Sequence, residues 1–293
     1  MVRFLAYIRV SLIFTMRTSF RFQALSIVLA AVLIVSLGLF SACKKDEDKP
    51  GSTGLNLFSV EDDIKLGQQL DQEIASNPQQ YPILDPSQFA AAYQHLQRIT
   101  NQLLNSGQLR YRDRFAWQLK IIRDDNTLNA FCAPGGYIYV YTGLIKFLDR
   151  ESELAGVMGH EIAHADLRHS TEMLTRNYGV QVLLEILLGG SPGTLANIAT
   201  NLALLSYSRG NETEADMASV AYLCSTEYDP KGTAGFFQKL VDQGQGSSGP
   251  AWLSTHPAPD DRVQNINAEA DRRGCQGGGT FENRYLEFKQ SLP

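Results

Sequence analysis

The chain has 293 residues, 44% of them apolar and 19% charged, with 24 Gly and 11 Pro. That composition excludes a disordered or collagen-like polymer and leaves one large domain or two small ones. Its 26 Lys+Arg against 31 Asp+Glu give −5 with no visible basic face, so nucleic acid is not an expected partner. Four Cys do not make a disulfide scaffold. Five His are a small supply, and three of them, His160, His164 and His169, fall within ten residues.

Residues 1–43 hold Arg3, Arg9, Arg17 and Arg21 and no acidic residue, and Ala24–Ala42 is free of charge over nineteen positions. This is the layout of an export signal. It ends in Leu39-Phe40-Ser41-Ala42-Cys43, followed by a polar run. The boundary resembles a bacterial lipoprotein signal, which implies removal of residues 1–42 and a lipid on Cys43 as the membrane anchor. An uncleaved signal anchor is the alternative, since nineteen apolar residues just reach across a bilayer core of ~30 Å. Met16 opens a tidier signal than Met1, so residues 1–15 are expected to reflect an upstream start codon. Residues 43–59 are expected to be a flexible tether. Within it Lys45-Asp46-Glu47 resembles a surface-export signal of some bacterial lipoproteins. The expected location is the cell envelope, at the outer membrane, facing the periplasm or the cell surface.

From residue 60 to 293 one domain is expected. Apolar spacing predicts helices over Val60–Leu70 and Phe89–Leu104, and alternation predicts a strand at Trp117–Ile122. Phe131–Ala133, a Pro134-Gly135-Gly136 turn and Tyr137–Tyr141 form a predicted hairpin. A short helix starts at Gly143, and a longer one capped by Asp149 runs from about Arg150 to His169. Val180–Leu188 and Leu195–Leu205 are strongly apolar but too short to span a membrane. Buried domain helices are the expectation for them, with a greasy hairpin near the bilayer as the alternative. Further helices are predicted over Asn211–Leu223, Thr233–Val241 and Asp260–Arg272.

The long helix carries His160-Glu161-Ile162-Ala163-His164. Residues four apart share a helix face, so both imidazoles can reach one ion at the ~2.0–2.1 Å of a zinc–nitrogen bond. Glu161, at the flank, is placed to hold and deprotonate a water that the ion has acidified. Leu154, Val157, Met158 and Ile162 surround this trio with apolar side chains, so a solvated helix face is a poor explanation. A metzincin would place Gly at 167 and His at 170, but the chain has Leu167 and Ser170. The alternative third ligand is a Glu from a downstream helix, with candidates Glu212 and Glu214. Glu212 and Asp216 share a face, whereas Glu214 points about 160° away. The spacing therefore favours Glu212 as ligand and Asp216 as acceptor for a ligand histidine's outer N–H. It leaves Glu214 as a charged, solvated helix start.

The set His160-Glu161-Ile162-Ala163-His164, Ser208-Arg209 with Glu212-x-x-Ala215-Asp216, Asn129-Ala130-Phe131 leading to Pro134-Gly135-Gly136, and Thr255-His256-Pro257 resembles metallopeptidase family forty-eight. The resemblance covers roughly residues 60–270. It implies a mainly α domain with a small β-sheet (α+β), a gluzincin-type endopeptidase with one Zn2+ per chain, and a polypeptide substrate. It also implies that the strand through Asn129, Ala130 and Phe131 pairs with substrate backbone. His256 is implied to lie near the metal, as an extra ligand or as a donor to the oxyanion. Arg262 is expected to orient that segment. Neither the extra transmembrane helices of some members nor the helical repeats of an exported member are expected. The expected function is hydrolysis of unfolded or misassembled envelope proteins, with a proteolytically silent, zinc-stabilised assembly factor as the competing reading. Cys224 with Cys275 is the expected disulfide, and Cys132 a buried thiol.

Overall fold

The computed structural model describes residues 55–293 except 190, 205, 244–250 and 257–260. The export segment, Cys43 and the run to Gly54 lie outside the described residues. Residues 51–293 form one compact unit. Its elements are α1 (Val60–Ala75), α2 (Ala90–Leu104), β1 (Gln118–Ile122), β2 (Ala130–Ala133), β3 (Tyr137–Tyr141), α3 (Thr142–Phe147), α4 (Glu151–Asp166), α5 (His169–Asn177), α6 (Val180–Leu187), α7 (Pro192–Leu202), α8 (Arg209–Leu223), α9 (Gly232–Asp242), α10 (Ala251–Thr255), α11 (Arg262–Arg273) and α12 (Glu282–Gln290). The expected mainly α architecture with a small sheet is borne out. Among the described residues no helix is long and apolar enough to cross a membrane.

The sheet runs β1-β3-β2, with β1 parallel and β2 antiparallel to β3. Pro134-Gly135-Gly136 makes the β2–β3 turn because Gly135 and Gly136 sit at φ +73° and +87°, where a side chain is strained. Alternation along the strands sends Ala130, Cys132, Ile138 and Val140 into one core and Phe131, Tyr137, Tyr139 and Tyr141 into another. The first core holds α4 against α2, α8 and α9. The second lies under α1 and the α6–α7 hairpin.

Helix α4 is buried along all its 16 residues. Its close contact with α9 needs glycine on both sides: a Cβ on Gly156 would lie 2.2 Å from the Thr233 nitrogen, and one on Gly232 2.0 Å from the Ser152 carbonyl oxygen. Asp149 does not cap α4. The Glu153 carboxylate accepts from the Asp149 and Arg150 N–H groups instead, at 3.0 and 3.2 Å, and Asp149 pairs with Lys239.

The long helix ends sooner than its pattern predicts. Arg168 turns left-handed at φ 63°, and α5 begins afresh at His169. Arg168 is fixed there by Asp63, with Nε–Oδ2 at 2.6 Å, and by the Phe58 carbonyl. The last residues of the expected tether are already docked, since Asn56 donates to Thr171 at 2.9 Å and Phe58 is buried.

The α6–α7 hairpin is only half what was expected of it. Leu183, Ile186, Leu195, Ile198 and Leu202 are buried, but Leu184 and Leu188 are 53% and 87% exposed. Cys224 and Cys275 are joined as a disulfide, tying the end of α8 to the residues after α11. Cys132 is a free, buried thiol held well above its ordinary pKa by burial.

Candidate active site

Helix α4 sets His160 and His164 one turn apart, and both are fully buried. Their Nε2 atoms meet at 2.9 Å. Helix α8 starts at a reciprocal cap, in which Ser208 Oγ accepts from the Asn211 N–H at 3.1 Å and Asn211 returns the contact. This fixes the first turn and aims Glu212 at the pair, its carboxylate 3.5 Å from His160 Nε2 and 3.4 Å from His164 Nε2. His256, at the end of α10, brings Nε2 to 3.4 Å from Glu161. One donor atom each from His160, His164, Glu212 and His256 lie within 4.8 Å of one another.

Each nitrogen's role follows from its neighbours. Thr255 Oγ1 donates to the Trp252 carbonyl at 3.0 Å, so at 2.9 Å from His256 Nδ1 it must accept. His256 Nε2 then carries a lone pair into the site. The Trp252 indole stacks on the ring at 4.0 Å and holds its plane. His160 Nδ1 donates to Asp216 at 2.9 Å, the contact anticipated from helical spacing. Arg262 grips Asp216 with Nε and Nη2 at 2.7 and 2.6 Å. Its Nη1 stands 3.0 Å from Glu212, an ion pair off the hydrogen-bond line, and its guanidinium covers the Phe237 ring at 4.0 Å.

The charges are tuned by this packing. Burial pushes Glu161 up to about 8, against the lowering effect of His160. Burial works against a charged His160, but its bonds to Asp216 and Glu212 lift it to about 9. Burial holds His164 and His256 neutral, well below their ordinary range. Burial alone would raise Glu212, and the surrounding His256, His160 and Arg262 hold it below its ordinary value.

Two residues with no assigned task also enter. His164 Nδ1 lies 2.9 Å from His169 Nδ1, and His169 Nε2 lies 3.2 Å from Glu214. Glu214 is thus not a freely solvated helix start. Tyr207 stacks on His164 at 3.8 Å. No periodicity announces these contacts, because they depend on the left-handed turn at Arg168, which breaks the helix just before His169.

Strand β2 lies at the sheet edge beside α4. The Tyr141 N–H bonds the Asn129 carbonyl at 3.1 Å. By antiparallel alternation Asn129 and Phe131 therefore turn their backbone groups toward β3, and Ala130 and Cys132 turn theirs outward. The Phe131 ring stacks on Tyr139 at 4.6 Å in the second core, away from the histidines. Asn129 reaches the Ala203 carbonyl at 3.5 Å, and the Trp252 N–H bonds Leu128 at 3.1 Å.

A metal fits this donor set. Among the described residues nine buried side-chain nitrogen or oxygen atoms lack a hydrogen-bond partner, and six of them belong to Glu161, Glu212, His256 and Arg262. Leaving such atoms bare in a dry interior costs free energy that a cation would offset. Two imidazoles and a carboxylate suit zinc.

The profile of Peptidase family M48 matches residues 90–270. The chain belongs to that family, and its domain is that of a metallopeptidase. It is 36% identical over 144 residues to the mitochondrial metalloendopeptidase OMA1 of Arabidopsis thaliana, covering 49% of this chain and 29% of that protein. It is 35% identical over 185 residues to the beta-barrel assembly-enhancing protease of Escherichia coli O157:H7, covering 58% of this chain and 38% of that one. The OMA1 of Schizosaccharomyces pombe is 34% identical over 154 residues, 51% of this chain and 45% of its own length. The chain thus spans less than half the length of these curated relatives.

Proposed function

We propose that the chain is a zinc-dependent endopeptidase, anchored to the cell envelope by a lipid on Cys43, that cleaves unfolded or misassembled envelope polypeptides. The observation that carries this reading is the convergence of buried donor atoms from His160, His164 and Glu212 on one point, with both carboxylate oxygens of Glu212 and of the neighbouring Glu161 lacking a hydrogen-bond partner. The name of the beta-barrel assembly-enhancing relatives supports the envelope substrate.

His160, His164 and Glu212 would hold one zinc, which when bound supplies a Lewis acid that polarises the scissile carbonyl and acidifies water. Glu161 would take the proton of the attacking water and return it to the leaving amine. Asp216, held by Arg262, keeps His160 in the tautomer with Nε2 bare. His256, oriented by Thr255, would serve as an additional ligand to the zinc or, with Nε2 protonated, as a donor to an oxyanion. Substrate backbone adds to the outward edge of β2, where Ala130 offers its N–H and C=O, with Asn129 and Phe131 fixing the strand against β3.

Glu161→Gln should keep zinc and lower casein cleavage by about 10²–10⁴-fold, the usual worth of a general base. Cleavage at the wild-type rate would sink the mechanism. The competing reading of a silent assembly factor is disfavoured by an intact Glu161, which a scaffold has no use for. Anchoring is tested apart from catalysis: palmitate labelling should vanish in Cys43→Ala.

A further inference from the structure

Resting on the metal-centre reading, we infer that His169 and Glu214 form a relay that selects the tautomer of His164 able to bind metal. His164 must present a bare Nε2 to the centre, so its proton must sit on Nδ1. That proton points at His169 Nδ1, 2.9 Å away, which must then be the acceptor. His169 in turn carries its proton on Nε2, 3.2 Å from the Glu214 carboxylate.

The opposite arrangement of neutral rings fails at the far end. If His169 donated through Nδ1, its bare Nε2 would face a carboxylate lone pair at 3.2 Å, acceptor against acceptor. His164 would then carry its proton on Nε2, blocking metal at the point where Glu212 and His160 converge. With both rings neutral, Glu214 therefore specifies, through one intervening imidazole, which nitrogen of His164 is bare.

The supporting frame is built for this. His169 is fully buried and opens α5 directly after left-handed Arg168. That turn is gripped by Asp63 of α1 and by the Phe58 carbonyl, so the segment before α1 helps to aim His169. Tyr207 fixes the plane of the His164 ring, stacked 13° from parallel, and its hydroxyl is held by Ser170 at 3.0 Å. The two ligand histidines are thus supported unequally: His160 meets a carboxylate directly, and His164 meets one through His169.

A histidine that merely fills the core would leave metal affinity untouched, and this gives the test. Zinc dissociation constants are measured on the mature chain by competition with a chromophoric chelator, alongside thermal melts of the metal-free proteins. His169→Phe should weaken zinc binding by about 10–100-fold, the usual effect of losing an outer-shell partner. His169→Gln, whose amide can accept from His164 and donate to Glu214, should recover most of that loss. Glu214→Ala should weaken binding in the same direction, and its side chain, 25% exposed, can be removed without opening the core. It therefore decides the matter if the Phe variant fails to fold. Wild-type zinc affinity in a folded His169→Phe or Glu214→Ala chain would overturn the relay. A wild-type chain that binds no zinc would instead defeat the metal-centre reading, and the relay with it.

Discussion

Helix α4 and the α6–α7 hairpin reverse what their compositions suggest. Helix α4 carries two His, three Glu and an Asp, and all of it is buried. The hairpin has one charged residue, Glu185, between Val180 and Leu202, yet exposes Leu184 and Leu188. Burial here follows from what surrounds an element and what its polar groups meet. Glu151 is answered by Arg98, Arg284 and the Tyr228 hydroxyl. Glu153 caps its own helix, Asp166 accepts from the Arg110 and Tyr111 N–H groups and from Tyr222, and His160 meets Asp216. Glu161 alone among the α4 carboxylates has both oxygens bare, and it is the residue to which the chemistry is assigned.

This contrast can be broken at several points. The largest stability effect is expected at the staple that closes the wall around α4: the disulfide spans 51 residues, and Cys275→Ser should cost about 2–4 kcal/mol in a denaturant melt. A loss near zero would mean that the helices around α4 hold without it. Glu151→Ala should cost about 2–3 kcal/mol by the same measurement, less than a fully buried ion pair, because the two arginines left behind are about one-third exposed.

The metal-free protein should also lose thermal stability between pH 7 and 9. His160 is raised from its ordinary 6.5 to about 9, so the folded state holds a proton there that the unfolded chain has shed, and the stabilisation fades as pH rises. Glu161, raised from 4.5 to about 8, has the same sign, since folding disfavours its ionised form. His164 and His256, lowered, oppose this only near pH 7, where the unfolded rings are still partly protonated, and Glu212, lowered, contributes no slope in this window. A melting temperature that rises from pH 7 to 9 in chelator would contradict the buried cluster. The smallest effect is expected in the hairpin, where Leu188→Ser should change stability by no more than about 0.5 kcal/mol.

Much of the site was legible because its chemistry is written locally. The two histidines and Glu161 sit within one turn and a half of helix, and Glu212 and Asp216 follow from the same periodicity applied to α8. What escaped depends on tertiary turns. By pattern His169 belongs to the tail of α4 and Glu214 to a solvated helix start, but the left-handed Arg168 ends α4 and begins α5 at His169. Arg262 reached Asp216 across a packing contact that spacing alone does not encode. In the fold, the hairpin turn was legible from its glycines, whereas the parallel pairing of β1 with β3 was not, since it joins segments with no shared turn. The half-exposure of α6 was missed because apolar periodicity reports a preference for burial and not whether a neighbour exists to supply it.

The central claim, a single zinc held by His160, His164 and Glu212 that makes the chain a peptidase, is tested most directly by reconstitution. The mature chain is stripped with a chelator, and casein cleavage is followed as zinc is added back. Cleavage should vanish on stripping and return in full at one zinc per chain, and Glu212→Gln should fail to recover it. Cleavage that persists in the stripped chain, or a Glu212→Gln chain restored by the same single equivalent, would contradict it.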